Sequence, residues 1–299
     1  MYDCIIIGMG PAGLSAAVYA KRSGMKVLLL DEAAPGGLLN KVTLIENYIG
    51  FKSISGSDLA LSMFEHVRNE DVEYKIERVL NIENNDDKKI VITTKGKYET
   101  KTIILAIGRK AKKSGIANEE KYVSKGISYC ALCDGPLYKN KNVVVLGGGN
   151  SAFEESIYLS NVAASVTVLA RGEIKAEEKL IDEAKEKNIN IITETTVDEF
   201  LGDETISGVK LNDGSVINCD GVFVYYGYAA DTSFIKNLNI TDSNGYIEVD
   251  GHMATKVKGI YACGDIVKKE VYQIVTAVSE GAIAAISARK EINKKSLTL

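Results

Sequence analysis

The chain has 299 residues, of which 45% are hydrophobic and 25% are charged, and its formal net charge is −4. This composition is typical of a globular protein and excludes disorder as a description of the whole chain. The sequence has no basic stripe, which argues against a nucleic-acid partner.

The apolar runs have strand length, far below the about 20 residues that cross a bilayer, so we expect no membrane partner. The N-terminus begins in a strand at Tyr2 and lacks the basic and long apolar regions of a signal peptide. Five cysteines, at positions 4, 130, 133, 219 and 263, are too sparse for a secreted disulfide scaffold. These features predict a cytoplasmic protein.

Short apolar runs that alternate with helical stretches predict an α/β protein. The predicted strands, in chain order, are 4–7, 26–30, 75–83, 89–98, 102–106, 142–146, 165–169, 189–194, 208–211, 221–225, 246–249 and 260–263. The predicted helices are 14–23, 153–161 and 273–291.

A unit of strand, glycine turn, helix and strand occurs twice, with its turns at 8–13 and 147–152. Because one core rarely grows past roughly 250–300 residues, we expect two domains. The repeat predicts two Rossmann-like dinucleotide-binding domains, each a three-layer ββα fold, with the second inserted into the first. We place the first domain, which carries the first turn, at 1–112 and 245–299. We place the second, which carries a CxxC pair on an NAD(P)-domain-like fold, at 113–244.

The first turn has the Gly-x-Gly-x-x-Gly spacing of a dinucleotide site. Gly8 permits the tight turn, Gly10 lets the backbone approach a pyrophosphate, and Gly13 lets the helix pack on the strand. Pro11 and Ala12 complete the turn at a helix N-terminus, whose N–H groups and partial positive charge favour phosphates.

Two acidic positions complete the first site. Asp31 follows Gly8 by 23 residues, near the expected spacing of about 20 for a ribose-binding acid, and Glu32 is the alternative. A late strand ends in Gly264-Asp265, a form that contacts the flavin side of FAD in flavoproteins with two dinucleotide domains. A plain Gly-Asp turn is the other interpretation of that pair, but beside the first turn it favours FAD.

The chemical centre is the segment from Cys130 through Cys133 to Asp134. Two cysteines three residues apart can form a disulfide, and a thiolate at a helix N-terminus has a lowered pKa. Zinc binding is the competing interpretation, but zinc needs further ligands, and neither His66 nor His252 has suitable spacing. We therefore predict no metal. Asp134 is either a helix cap or a proton donor to a leaving thiolate.

The order of these motifs resembles bacterial thioredoxin reductases of the low-molecular-weight type over nearly the whole chain. The CxxC lies just before the second glycine turn, whereas larger glutathione-reductase-type flavoproteins carry theirs in the first helix after the FAD strand. The motifs that carry the resemblance are the first turn, Pro35-Gly36-Gly37, Glu46-Asn47, Ala106-Ile107-Gly108, Cys130–Gly135, the second turn and Ala262–Asp265.

The resemblance implies a homodimer that binds FAD and reduces thioredoxin. It implies that Cys133 faces the flavin, that Cys130 attacks thioredoxin and that Asp134 is the acid. It also implies that the inserted domain swings, so that the cysteine pair alternates between the flavin and thioredoxin. It also implies FAD contacts at Gly36, Gly37, Leu38, Asn47, Ala106, Gly108, Gln273, Ile274 and Ala277.

The second nucleotide site departs from the family pattern. The same 23-residue step from Gly147 reaches Ala170, where an NAD site would have an acid. The family motif for NADPH is His-Arg-Arg, three residues and Arg; here Arg171 remains, Lys175 replaces another arginine, and Glu173 adds a repelling charge. Two lost contacts at about 1.5–3 kcal/mol each would weaken NADPH binding by roughly two to four orders of magnitude.

This departure resembles the ferredoxin-dependent flavin thioredoxin reductases of anaerobic bacteria, which keep the fold and the CxxC but lack a working NADPH motif. We therefore expect reduced ferredoxin as the electron donor, with NADPH or NADH as the alternative. Less favoured functions are the reduction of another thioredoxin-like or peroxiredoxin partner and a non-catalytic flavin sensor.

Overall fold

The computed structural model describes residues 1–42, 44–85 and 88–296. The chain forms two compact units: unit 1 comprises Met1–Lys41, Tyr48–Lys110 and Ala229–Leu299, and unit 2 comprises Val42–Asn47 and Ala111–Tyr228. In these described ranges, no helix combines the length and apolar character that crossing a bilayer requires.

The boundary at which the chain returns from unit 2 to unit 1 falls between residues 228 and 229, whereas we predicted it between 244 and 245. The reason is burial: Ile235, Leu238 and Ile240 pack into the same core as Ile5 and Ile7 of the first strand. The 16 residues from 229 to 244 therefore belong with unit 1.

The described elements are short strands and seven α-helices. The strands are β1 (Tyr2–Ile7), β2 (Val27–Asp31), β3 (Glu73–Ile76), β4 (Val79–Asn85), β5 (Lys88–Thr93), β6 (Lys97–Leu105), β7 (Lys110–Ala111), β8 (Ile127–Ser128), β9 (Asn142–Leu146), β10 (Ser165–Leu169), β11 (Asn190–Ile192), β12 (Val197–Gly202), β13 (Ile206–Leu211), β14 (Val216–Asn218), β15 (Gly221–Val224), β16 (Tyr228–Ala229) and β17 (Ile260–Ala262). The helices are α1 (Pro11–Arg22), α2 (Gly56–Asn69), α3 (Glu119–Tyr122), α4 (Ala131–Asp134), α5 (Asn150–Ser160), α6 (Glu178–Glu186) and α7 (Ile274–Ser296).

Unit 1 is built on a sheet with the strand order β3-β2-β1-β6-β5-β4, to which β17 adds by pairing with β6. Strands β1, β2, β6 and β17 run parallel, and buried aliphatic side chains cover both faces of the central strands. Helix α7 packs closely on α1, because a Cβ at Gly281 would lie 2.1 Å from the carbonyl oxygen of Ala12. This close packing holds the start of α1 against α7.

The predicted strand 75–83 is wrong as a single element. The chain forms β3, turns at Glu77 and Arg78, and then forms β4, and these two strands lie at opposite ends of the strand order. Helix α2 was not among the predicted elements, although Ser55 caps it by accepting a hydrogen bond from the Asp58 N–H at 3.1 Å.

Unit 2 repeats the central pattern in a parallel sheet with the order β11-β10-β9-β15-β8, beside an antiparallel sheet β12-β13-β14. The strands that precede and follow the glycine turn pair in the same register in both units. Ile7 pairs with Leu30 in unit 1, and Leu146 pairs with Leu169 in unit 2. The predicted α/β class with two Rossmann-like units is confirmed.

Candidate functional site

The first glycine turn leaves no room for side chains at two of its glycines. Gly8 has a φ of +110°, and a Cβ there would lie 2.2 Å from the carbonyl oxygen of Ala106. A Cβ at Gly13 would lie 1.8 Å from the carbonyl oxygen of Gly8. Both positions therefore require glycine, as the predicted tight turn and helix packing demand.

Gly10 is in a different situation. It caps α1 in an extended conformation, and no heavy atom lies within 4 Å of the position that a Cβ would take. Pro11 is the first residue of α1, where its missing N–H costs no hydrogen bond. The space beside Gly10 at the start of a 12-residue helix suits a phosphate group.

Asp31 reaches back to this turn. Its carboxylate accepts hydrogen bonds from the Met9 N–H at 2.6 Å and from the Ala33 N–H at 3.0 Å. Glu32 is half-exposed and pairs with Arg78 at 3.5 Å instead. Of the two acidic candidates, Asp31 is the one at the glycine turn.

The Pro35-Gly36-Gly37 loop also lies against the first turn. The Gly36 N–H donates to the Met9 carbonyl at 2.7 Å, and a Cβ at Gly37 would lie 3.2 Å from the Cα of Gly10. Leu38 follows in a short 3-10 helix and is partly exposed. Asn47 is placed differently, because residues 42–47 group with unit 2.

Later segments of unit 1 bring the other predicted residues to the same end of the sheet. Ala106 and Gly108 follow β6, and Gly264 follows β17 with a φ of +77° and Ala12 beneath it. Burial raises the pKa of the Asp265 carboxyl, against the lowering effect of the Arg109 charge. The remaining predicted contacts lie at the start of α7: Gln273, Ile274 and Ala277.

A buried ion pair beside this turn was not predicted. The Glu280 carboxylate accepts from the Gly264 N–H at 2.8 Å and pairs with Lys269 at 2.5 Å, with both side chains mostly buried. Arg109 stacks on the Tyr272 ring at 3.5 Å. The sequence offers no local signal for these contacts, because their partners lie on different segments of unit 1.

The cysteine pair lies at the start of α4 in unit 2. Cys130 and Cys133 form a disulfide, with their Cα atoms 5.3 Å apart. Cys130 caps α4, and its sulfur accepts from the Cys133 N–H at 3.2 Å. A thiolate formed on Cys130 would keep this hydrogen bond from the Cys133 N–H.

Asp134 ends the same turn. Its carboxylate accepts from the Ser128 hydroxyl at 2.6 Å, and that hydroxyl accepts from the Cys130 N–H at 3.1 Å. Burial raises the pKa of the Asp134 carboxyl, against the lowering effect of Ser128. A carboxyl that holds its proton to higher pH is suited to act as an acid.

The other three cysteines, Cys4, Cys219 and Cys263, are buried. Burial raises the pKa of Cys4 and of Cys219 to about 12. These thiols therefore remain protonated at neutral pH, in contrast to a thiolate-forming pair.

The chain that follows β10 returns to the second glycine turn and bonds to Gly148. The carbonyl oxygen of Gly148 accepts from the N–H groups of Lys175 at 2.7 Å and Ala176 at 3.1 Å. Ala170 is buried, and Arg171 stacks on the Tyr226 ring at 3.9 Å. The segment after β10, which binds the adenosine end of a nucleotide in a working site of this kind, thus bonds to the glycine turn instead.

A negative charge also stands at the start of α5. The Asn150 amide donates to the Glu177 carboxylate at 3.0 Å, and the Glu177 N–H donates to the Asn150 side-chain oxygen at 2.9 Å. A carboxylate beside this helix N-terminus repels the phosphates that the corresponding end of α1 would attract.

Comparison with known proteins gives the family. The model of the pyridine nucleotide-disulphide oxidoreductases matches residues 2–281. The chain belongs to this family. It is 43% identical to a thioredoxin reductase of Ureaplasma parvum, with 98% of each chain covered. It is 40% identical to a Clostridium pasteurianum protein named as the 34.2 kDa protein in a rubredoxin operon, again with 98% of each covered.

Solved structures agree. The thioredoxin reductase of Streptococcus pyogenes superposes with a TM-score of 0.93 at 42% identity, covering 98% of this chain and 99% of that one. Within the family, the chain groups with the low-molecular-weight thioredoxin reductases.

The cofactor of this family is FAD. Unit 1 fits it, because the open space at Gly10 lies at the start of α1, next to the Asp31 carboxylate and the Gly36-Gly37 loop. The turn in unit 2 lacks an acid at Ala170 and has Glu177 at the start of α5.

Proposed function

We propose that this chain is a cytoplasmic, FAD-dependent thioredoxin reductase that acts through Cys130 and Cys133, with reduced ferredoxin as its electron donor. The observation that carries the proposal is the Cys130–Cys133 disulfide at the start of α4, with the Cys133 N–H on the Cys130 sulfur. It stands in a chain with full-length relatives that are named thioredoxin reductases.

The reduced pair would act in two steps. The Cys130 thiolate attacks the disulfide of oxidised thioredoxin, a mixed disulfide forms, and one thioredoxin thiolate leaves. Cys133 then attacks the Cys130 sulfur, which releases the second thioredoxin thiolate and restores the Cys130–Cys133 disulfide. Two electrons and two protons pass to thioredoxin.

Asp134 is the proposed proton donor in the return half of the cycle. Its buried carboxyl lies one residue from Cys133 and holds its proton to higher pH than an exposed aspartate does. When bound, FAD supplies the redox chemistry that returns two electrons to the disulfide. Gly8, Gly10, Pro11, Ala12, Gly13, Asp31, Gly36 and Gly37 would hold its pyrophosphate and adenosine half.

Three features of unit 2 support ferredoxin rather than a nicotinamide nucleotide. Ala170 stands where unit 1 has Asp31, Arg171 is stacked on Tyr226, and Glu177 lies at the start of α5. Each removes or opposes a contact that an adenosine phosphate needs. Ferredoxin, a one-electron protein donor, needs none of these contacts.

NADPH is the second candidate donor, and one observation favours it. No heavy atom lies within 4 Å of the position that a Cβ of Gly149 would take, so the last part of the second turn has space for a phosphate. A homodimer is part of the proposal, and light scattering on the holoenzyme should then give twice the 32.3 kDa of one chain.

The disulfide exchange is tested with Cys130→Ser and Cys133→Ser. Each variant should retain its flavin and lose thioredoxin reduction by at least about 10³-fold, since covalent catalysis has no second route. Trapping should give a mixed disulfide between thioredoxin and Cys130 in the Cys133→Ser variant. Turnover near the wild-type rate in either variant would contradict the proposal.

A further inference from the structure

One buried hydroxyl links the cysteine pair to the proposed acid. Ser128 is the last residue of β8, two positions before Cys130, and only 4% of it is exposed. Its oxygen accepts from the Cys130 N–H at 3.1 Å and lies 2.6 Å from a carboxylate oxygen of Asp134. A single side chain therefore contacts both the residue that caps α4 and the residue that ends it.

The Ser128 hydroxyl has one proton to donate and two acceptors within reach. Besides the Asp134 carboxylate, the carbonyl oxygen of Cys130 lies 3.3 Å from Ser128 Oγ. That carbonyl also accepts from the Asp134 N–H at 3.1 Å, so it keeps a hydrogen bond when the Ser128 proton points to the carboxylate. The Cys130 N–H donates to Ser128 Oγ whichever acceptor the proton faces.

These two arrangements match the two protonation states of Asp134. An ionised carboxylate only accepts hydrogen bonds, so the Ser128 hydroxyl donates to it. A protonated carboxyl can donate its own O–H to Ser128 Oγ, and the Ser128 proton then turns to the Cys130 carbonyl. No proton leaves Ser128 in this change, and each of these buried groups keeps a partner in both states.

We propose that Ser128 is a positioning residue that holds Asp134 beside the cysteine pair in both protonation states and favours release of the Asp134 proton. The proposal rests on the proposed role of Asp134 as the proton donor. Because a hydrogen bond to an ionised acceptor is stronger than one to a neutral group, the hydroxyl stabilises the carboxylate more than the acid. Burial, the larger influence, raises the pKa of Asp134, and Ser128 lowers it.

Other titratable groups lie close to Asp134. Burial, together with the nearby Asp134 and Cys219, raises the pKa of Tyr138 to about 12. The pKa of Cys219 is itself raised by burial to about 12, so both groups are uncharged at neutral pH. Helix α5, which packs against α4, carries Glu155 and Tyr158. A titration in this part of unit 2 must therefore be assigned with an Asp134 variant.

The test measures the protonation of Asp134 directly and needs neither an electron donor nor thioredoxin. Infrared spectra of the holoenzyme are recorded as the pH is raised, with the disulfide intact so that Cys130 and Cys133 do not titrate. The carbonyl-stretch band of a protonated carboxyl that is missing from Asp134→Asn belongs to Asp134. The pH at which half of this band is lost is the Asp134 midpoint.

Ser128→Ala should move the Asp134 midpoint to higher pH by about half a unit to one unit, because the carboxylate loses a hydrogen bond that stabilises its charge. Ser128→Thr keeps the hydroxyl and should restore a midpoint close to that of the wild type. In the reaction, the fall of turnover with rising pH should shift in Ser128→Ala in the same direction and by a similar amount.

Ser156→Ala is the matched control. Ser156 is also buried in unit 2, and its hydroxyl donates at the same 2.6 Å distance, but to the Ala152 carbonyl. This variant should leave the Asp134 midpoint unchanged. An unchanged or lower midpoint in Ser128→Ala, or an equal rise in Ser156→Ala, would overturn the proposal. A midpoint that rises in Ser128→Ala while turnover stays independent of pH would contradict the proton-donor role of Asp134 and support the effect of Ser128.

Discussion

The two glycine turns have the same backbone plan and different surroundings. In unit 1 the Gly8 N–H donates to Leu30, and in unit 2 the Gly147 N–H donates to Leu169. After these matched strands, Asp31 bonds to the Met9 N–H of its turn, whereas Ala170 makes no such bond and the following segment folds onto Gly148. A shared fold therefore does not imply a shared ligand, because the side chains that follow the strand decide it.

After the two cysteine variants, the largest effect should come from Asp134, which follows the cysteine pair. Asp134→Asn should lower turnover by about 10²-fold or more, the usual size of a general-acid contribution. Because an acid must be protonated, wild-type turnover should fall as pH rises through the raised pKa of Asp134, and the variant should lose that dependence. A steady-state pH profile measures this. A variant with wild-type turnover would show that Asp134 only caps the turn.

The next largest effect should come from one of two matched substitutions, at the N-terminal caps of α1 and α5. No heavy atom lies within 4 Å of the position that a Cβ would take at Gly10 or at Gly149. An alanine at either position should therefore leave the fold intact. Gly10→Ala should weaken FAD binding by up to about 100-fold, since forcing a methyl into a filled site costs about 1–3 kcal/mol. Flavin retained after gel filtration is the readout.

Gly149→Ala is its control and should leave ferredoxin-driven turnover unchanged. If instead this variant lost turnover while Gly10→Ala kept its flavin, the assignment of the two turns would be reversed.

A smaller effect is expected at the acid after β2. Asp31→Ala should weaken FAD binding about tenfold, since a hydrogen bond to a charged group contributes about 1.5 kcal/mol or more. Titration of the apoprotein with FAD measures it. Glu32→Ala, which removes only the half-exposed pair with Arg78, should change little. Equal losses in both variants would argue against a specific role for Asp31.

The smallest effect tests the charge beside the second glycine turn. Glu177→Gln removes a negative charge beside the start of α5 and should tighten binding of adenosine 2′,5′-bisphosphate about two- to fivefold. Glu178→Gln, on the first residue of α6, should not. Calorimetry measures both. Micromolar binding of this compound already present in the wild type would contradict the weak nucleotide binding that we assign to the second turn.

The sequence predicted the fold class and the central repeat well, because glycine spacing and strand register are local and strict. The 23-residue step from Gly8 to Asp31 and from Gly147 to Ala170 identifies structurally equivalent positions, since the strands before these residues pair in the same register. Asp31 could therefore be chosen as the acid at the first turn, although the choice against Glu32 needed the structure.

Other features depended on contacts that a single sequence does not display. Helix α2 carried a readable signal, Ser55 followed by Asp58, which was not used. The buried pair of Lys269 and Glu280 and the hydrogen bond from Ala131 to Tyr225 join residues on separate segments, so spacing gave no hint of them. The boundary near residue 228 depended on which core Ile235 enters.

The most direct test of the account compares two electron donors on one sample of holoenzyme. Under anaerobic conditions in a stopped-flow instrument, the visible absorbance of the bound flavin is followed after mixing with reduced ferredoxin or with NADPH, in the presence of oxidised thioredoxin. We predict that ferredoxin bleaches the flavin at a rate that supports turnover and that NADPH does so at least about 100-fold more slowly at equal concentration. Rapid bleaching by NADPH at catalytic rates would contradict it.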